Sequence, residues 1–92
     1  MADFERPKLT REDFHNAINS LHIHIDKVFS RKENKNHAQL SWHENYGDVS
    51  EEVFEYLMAI QKNNDEECLS ELHDIATAAI WGIASKIKGH IS

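Results

Sequence analysis

Ninety-two residues with one cysteine, 40% hydrophobic side chains and a net charge of −6 describe one small domain, residues 1–92. That charge argues against nucleic acid or an anionic membrane as the main partner, because both repel an acidic surface. The single Cys68 excludes an internal disulfide, and a thin chain of this size buries only about 60–65% of its unfolded surface.

The chain opens on Met1-Ala2-Asp3-Phe4-Glu5-Arg6-Pro7, which is charged and lacks the apolar stretch of a signal peptide. Thr10 is the expected cap of a first helix, with Glu12 and Asp13 in its first turn. Phe14, Ile18, Leu21, Ile25 and Val28 repeat at helical spacing, which predicts a helix to about Arg31, with Ile23 off the stripe. Residues 32–47 are polar, carry Asn34, Asn36, Asn45 and Gly47, and read as a loop with one helical turn at most around residues 38–43. A connection of that length in a small domain is either functional or disordered. Asp48 or Ser50 is the expected cap of the second helix, whose apolar positions are Val49, Val53, Tyr56, Leu57 and Ile60. Helical character fades at Lys62-Asn63-Asn64 and restarts at Asp65. Leu69, Leu72, Ala76, Ala79, Ile80, Ile83 and Ile87 then form a wide stripe, and Gly89 ends the third helix after Lys86 and Lys88. The apolar-rich run 75–84 is half the length that spans a bilayer, so the expected setting is soluble and cytoplasmic. No strand alternation interrupts this all-α pattern. It predicts three to four helices in an antiparallel bundle, with a core thin enough to need completion by oligomerisation.

The most informative residues are acidic. Glu51, Glu52 and Glu55 sit in the second helix, and Glu71 and Asp74 in the third, each group three or four positions apart on one helical face. No Lys or Arg stands one turn downstream of any of them: Glu52 meets Tyr56, Glu55 meets Ala59, Glu71 meets Ile75 and Asp74 meets Ala78. Glu51 and Glu55 repel each other at i,i+4, as do Glu67 and Glu71, at roughly 0.2–0.5 kcal/mol per pair. Both groups lie opposite the apolar stripes on a helical wheel, which is also where a solvated face would lie. Ala59 and Ala78, one turn beyond the acids, leave room for a ligand or for another helix to cover them. Buried carboxylates need a counter-charge, and a hard divalent cation that takes oxygen ligands supplies one.

The spacing Glu51-Glu52-x-x-Glu55 … Glu71-x-x-Asp74, with its contexts VSEEVFEYLMAIQ and DEECLSELHDIATAAIWGIA, resembles the signature of the MazG-like, all-α nucleoside triphosphate pyrophosphohydrolases over residues 49–88. That resemblance implies a house-cleaning enzyme that cleaves (deoxy)nucleoside triphosphates between the α- and β-phosphates, as a homo-oligomeric dimer or tetramer. It implies Mg²⁺, with Mn²⁺ as a substitute, held by Glu52, Glu55, Glu71 and Asp74. Glu51 would be a further ligand or would orient the attacking water. The resemblance leaves the phosphate contacts open among Arg31, Lys32, Lys35, Lys86 and Lys88, and the first helix is expected to line a base pocket through Asn19 and His22, together with Trp42. A related family, the phosphoribosyl-ATP pyrophosphohydrolases, shares a double acidic signature, but its Ser-Tyr segment has no counterpart in QLSWHENYGDVS. A non-catalytic helical interaction module is the competing class.

The remaining polar residues carry weaker patterns. His22 and His24 are two apart and point to different flanks of a helix, so they cannot share a zinc ion, and the seven histidines read as surface residues. His73 precedes Asp74 and either neighbours the acids or lies on the helix surface. Trp42 and Tyr46 either stack on a base or tuck against the first helix, and Trp81 is expected to pack, at a subunit contact or within the chain.

Overall fold

Three helices make up the computed structural model, which describes residues 5–91; no strand is present among them. The segment from Met1 to Phe4 lies outside the described residues.

Helix α1, Arg11–Phe29, begins where its capping chemistry dictates. The Thr10 hydroxyl accepts from the Asp13 amide at 3.2 Å, and the Asp13 carboxylate accepts from the Thr10 amide at 2.7 Å. These bonds from Thr10 hold the Asp13 carboxyl below its ordinary value.

Helix α2, Trp42–Gln61, starts well ahead of the expected caps at Asp48 and Ser50. Its cap is Ser41, whose hydroxyl accepts from the Glu44 amide at 3.0 Å, while the Glu44 carboxylate accepts from the Leu40 amide at 2.8 Å. Asn45 and Gly47 therefore belong to a helix and not to the loop their residue types suggested. Asn45 is compensated by tertiary bonding: its Nδ2 donates to the Ala78 carbonyl at 2.9 Å and to Gln39 Oε1 at 2.8 Å. The real connection between the first two helices is residues 30–41.

Helix α3, Asp65–Lys88, is capped by Asn64, which accepts from the Glu67 amide at 3.1 Å, and stops at Gly89, whose φ of 93° is left-handed. The turn 62–64 places Asn63 at φ 53° and folds α2 back antiparallel to α3.

The packing inverts the expected arrangement. The α2 line that meets α3 runs through Asn45, Glu52 and Ala59, and the α3 line that meets α2 runs through Glu71, Ala78, Gly82 and Ser85. Small residues let the two backbones approach. A Cβ on Gly82 would stand 2.5 Å from Asn45 Nδ2, so glycine is what makes room for that side chain. Val53, Leu57, Ile60, Leu72 and Ile83, expected to form the core, are each 45–57% exposed. Ala59 and Ile91 are the buried hydrophobic residues, and no large side chain is fully buried among the described residues.

Helix α1 packs along α3 and does not approach α2. Phe29 stacks on Trp81, with ring centroids 5.4 Å apart, and Trp81 Nε1 donates to the His37 carbonyl at 2.7 Å. Trp81 thus packs within the chain. The 30–41 connection is tied down by Gln39, 5% exposed, whose amide donates to Ser85 Oγ at 2.9 Å and whose Nε2 donates to Asp48 at 2.7 Å. The result is elongated, 49 × 31 × 27 Å, with a radius of gyration of 15.8 Å. A compact domain of this length would have a radius of about 12 Å.

Candidate metal centre

Because α2 and α3 face each other through their acidic sides, the carboxylates converge. Glu52, Glu55 and Glu71 each offer an oxygen, and these three oxygens lie within 4.8 Å of one another. Glu52 and Glu71 are half-buried and Glu55 is exposed at the edge. One oxygen of Glu52 and one of Glu71 are shut off from solvent and have no hydrogen-bond partner. An orphaned buried carboxylate oxygen is costly, at about 1–3 kcal/mol or more for a charged group.

The protonation equilibria register that cost. Burial pushes the Glu52 carboxyl up to about 8, and the neighbouring Glu55, then the charges of Asp74 and Glu71, add to the rise. Burial raises Glu71 as well, followed by the charges of Asp74 and Glu55. No Lys or Arg forms a salt bridge with this cluster among the described residues.

Asp74 stands one turn along α3 from Glu71 and has a partner of its own on α1. His24 Nε2 lies 2.9 Å from Asp74 Oδ1 but out of line for a hydrogen bond. The His24 ring stacks on His73 at 5.4 Å, and His73 Nε2 is 3.0 Å from Ser20 Oγ. These two histidines are half-buried, which departs from the surface reading of the sequence. The signal for His24 was its register: it lies three residues after Leu21 and four before Val28, on the inward stripe of α1.

Glu51, Glu52 and Asp74 line a cavity of about 220 Å³ together with Arg31, Asp48 and Thr77. An adjoining cavity of about 410 Å³ shares Asp48, Ala78 and Trp81 with it and is walled by the 33–39 segment, including Lys35, Asn36 and His37. Of the expected phosphate contacts, Arg31 therefore stands beside the acids and Lys35 in the next compartment.

Other expected site residues are not brought to the acids. Asn19 and His22 are exposed, on the side of α1 roughly opposite His24. Trp42 is the first residue of α2 and 53% exposed, and Tyr46 is 71% exposed, so neither tucks against α1. Lys86 lies about 18 Å along α3 from Asp74 and donates to the Ile91 carbonyl at 3.3 Å.

The donor set fits a hard cation. All the converging atoms are carboxylate oxygens with spare lone pairs, and burial, followed by the neighbouring acids, disfavours the charged forms of Glu52 and Glu71 when no cation offsets them. No protein-family model matches this chain, and neither does any curated protein or solved structure.

Proposed function

We propose that this chain is a Mg²⁺-dependent nucleoside triphosphate pyrophosphohydrolase. Water attacks a (deoxy)nucleoside triphosphate, the bond between its α- and β-phosphates breaks, and a monophosphate and pyrophosphate leave. The observation that carries the reading is the pair of buried, unpartnered oxygens on Glu52 and Glu71, grouped with Glu55 within 4.8 Å. The resemblance of the acidic spacing to MazG-like enzymes supplies the reaction.

In this reading Glu52, Glu55 and Glu71 hold the cation, with Asp74 at the edge of the set; Mn²⁺ substitutes, having the same taste for oxygen. When bound, the cation neutralises phosphoryl charge and favours the hydroxide form of a coordinated water. Glu51, exposed at the cavity wall, accepts the proton of the attacking water. Arg31, which lines the same cavity, binds phosphate oxygens, and the compartment lined by Lys35, Asn36 and His37 receives the nucleoside. Clearance of unwanted nucleotides in the cytoplasm is the role such a reaction serves. A non-catalytic interaction module is the second reading; the exposed apolar surface of α2 and α3 supports it.

A panel of ribo- and deoxyribonucleoside triphosphates, with Mg²⁺ and a coupled pyrophosphate assay, separates the two. Turnover of at least one nucleotide, abolished by Glu52→Gln and by Asp74→Asn, is expected. No turnover on any member, together with no thermal shift in Mg²⁺, would sink the enzymatic reading.

A further inference from the structure

Trp81 is held by three parts of the fold, and each grips a different part of the side chain. Phe29, the last residue of α1, stacks on one face of the indole, with ring centroids 5.4 Å apart and the planes 17° from parallel. The ring nitrogen donates to the His37 carbonyl of the 30–41 connection at 2.7 Å. Helix α3 carries the backbone. The one polar atom of the half-buried side chain is therefore satisfied, and the rest of the ring is apolar.

Two cavities border that ring. The one of about 220 Å³ carries Arg31, Glu52 and Asp74, and the one of about 410 Å³ carries Lys35, Asn36 and Gln39. Trp81 lines both and Phe29 lines neither, so both lie off the stacked face of the indole. Apart from Trp81 and the two alanines Ala38 and Ala78, the residues lining the larger cavity are polar. A flat apolar wall in a polar compartment fits a ligand with apolar faces and hydrogen-bonding edges, which is the chemistry of a nucleobase. The register fits as well. Trp81 follows Asp74 by seven residues, so it lies about 20° away on the wheel and roughly 10 Å farther along α3. That separation is comparable to the span from the α-phosphate to the base of a nucleotide.

We infer that the face of Trp81 opposite Phe29 is the stacking platform for the nucleobase of the substrate, whose phosphates reach back along α3 to Arg31 and the acids. The inference rests on the pyrophosphohydrolase reading and adds to it the residue that holds the base. Every base has a π-face, so Trp81 contributes to affinity for purines and pyrimidines alike. Phe29 and the His37 carbonyl already fix the ring, so little side-chain freedom is lost on binding.

Tryptophan emission of the full chain tests this. The chain has two tryptophans, and Trp42, 53% exposed, borders neither cavity, so Trp42→Phe leaves Trp81 as the sole reporter. The probes are the α,β-imido analogues of dATP, dGTP, dCTP and dTTP, which resist cleavage between the α- and β-phosphates, each with Mg²⁺. Ribose 5′-triphosphate, which has the phosphates and no base, is the control. Saturable quenching of Trp81 by the imido nucleotides, and none by ribose 5′-triphosphate, is expected. Calorimetry of Trp81→Leu should show a Kd for the imido nucleotides weaker by about tenfold to a hundredfold, with the Kd of ribose 5′-triphosphate within twofold of wild type. Trp81→Phe, which keeps an aromatic face, should recover at least half of that loss on a logarithmic scale. If Trp81→Leu does not fold, the emission of the Trp42→Phe protein still decides. Imido nucleotides that bind by calorimetry without changing Trp81 emission overturn the inference and leave the enzymatic reading standing. An equal loss of affinity for ribose 5′-triphosphate in Trp81→Leu assigns the ring to packing and also overturns it. No binding of any nucleotide, with no pyrophosphate release from the natural triphosphates, sinks the enzymatic reading and this inference with it.

Discussion

Replacing Glu52 by Gln should stabilise the metal-free protein, the reverse of what removing a half-buried, well-packed group normally does. Glu52 is raised from 4.5 to about 8, so at pH 7 the native chain holds a proton there that the unfolded chain has released. Holding it costs about 3 kcal/mol at 1.36 kcal/mol per pH unit. Residual solvent access lowers that figure, and any amide bond left unmade subtracts about 1 kcal/mol. A net gain of about 1–2 kcal/mol remains, which for a domain of this size lifts Tm by roughly 4–15 °C. In saturating Mg²⁺ the order should invert. At a hundred times its Kd the ion adds about 2.7 kcal/mol to the wild type, and the variant has lost a ligand. The assay is thermal unfolding by circular dichroism at one protein concentration, in EDTA and then in 10 mM Mg²⁺, for both proteins. A variant less stable than wild type by the same margin in both buffers would show that Glu52 is an ordinary packing residue. An undiminished Mg²⁺ shift in the variant would remove Glu52 from the ligand set.

Three further outcomes follow from the same geometry. Because the Glu52 carboxyl is raised in the folded state, its stabilising contribution is fully present below about pH 4.5 and is lost as pH rises through about 8, and the upward shift of Glu71 acts in the same direction. In EDTA, Tm should therefore fall between pH 5 and pH 8, whereas Mg²⁺ affinity measured by calorimetry should rise over that interval; a flat Tm profile contradicts the crowding of the acids. Gly82→Ala should destabilise by about 1–3 kcal/mol in urea unfolding despite a helix-propensity gain near 1 kcal/mol, because the new Cβ displaces the Asn45 side chain and its bonds to Ala78 and Gln39; a more stable variant would refute that latch. Arg31→Gln should raise the nucleotide KM about tenfold and leave the Mg²⁺ thermal shift intact, and an unchanged KM would separate Arg31 from the phosphates.

The helical class, the start of α1 and both ends of α3 were legible because they rest on local chemistry. Thr10, Asp13, Asn64-Asp65 and Gly89 act through bonds within a few residues of themselves. The start of α2 was misread for the opposite reason. Asn45 and Gly47 are poor helix formers in isolation, and Asn45 is stabilised by partners on α3 and the 30–41 connection that lie far away in sequence. A local cue did exist, since Ser41-x-x-Glu44 is a capping spacing. The acids themselves were found by pattern. Their burial was not, because a helical wheel shows which residues share a face without saying which face meets a neighbour. Ala59, Ala78, Gly82 and Ser85 settled that, and of these only the two alanines had been singled out from the sequence.

The inward acids and the outward aliphatic residues are one arrangement seen from two sides. Turning α2 by about a third of a revolution would bury Val53, Leu57 and Ile60 against α3 and send Glu52 and Glu55 to water, a packing that the hydrophobic effect alone favours by roughly 1.5–3 kcal/mol for each large side chain buried. The chain instead sets its small residues at the contact, so the helices close on the acidic line and the aliphatic line stays free. Such a monomer forgoes most of its own core and holds carboxylates against each other. It gains from that only when something outside the single chain supplies both missing terms: apolar surface for the aliphatic line and positive charge for the acidic seam. In the proposed reading a second copy would supply the first and a divalent cation the second. The two contributions are separable, because Glu52 and Glu71 lie in the α2–α3 seam while Leu57 and Ile83 face outward from it. Metal should therefore raise Tm in the Leu57→Glu variant as it does in the wild type, from a lower starting point, and self-association should persist in Glu52→Gln.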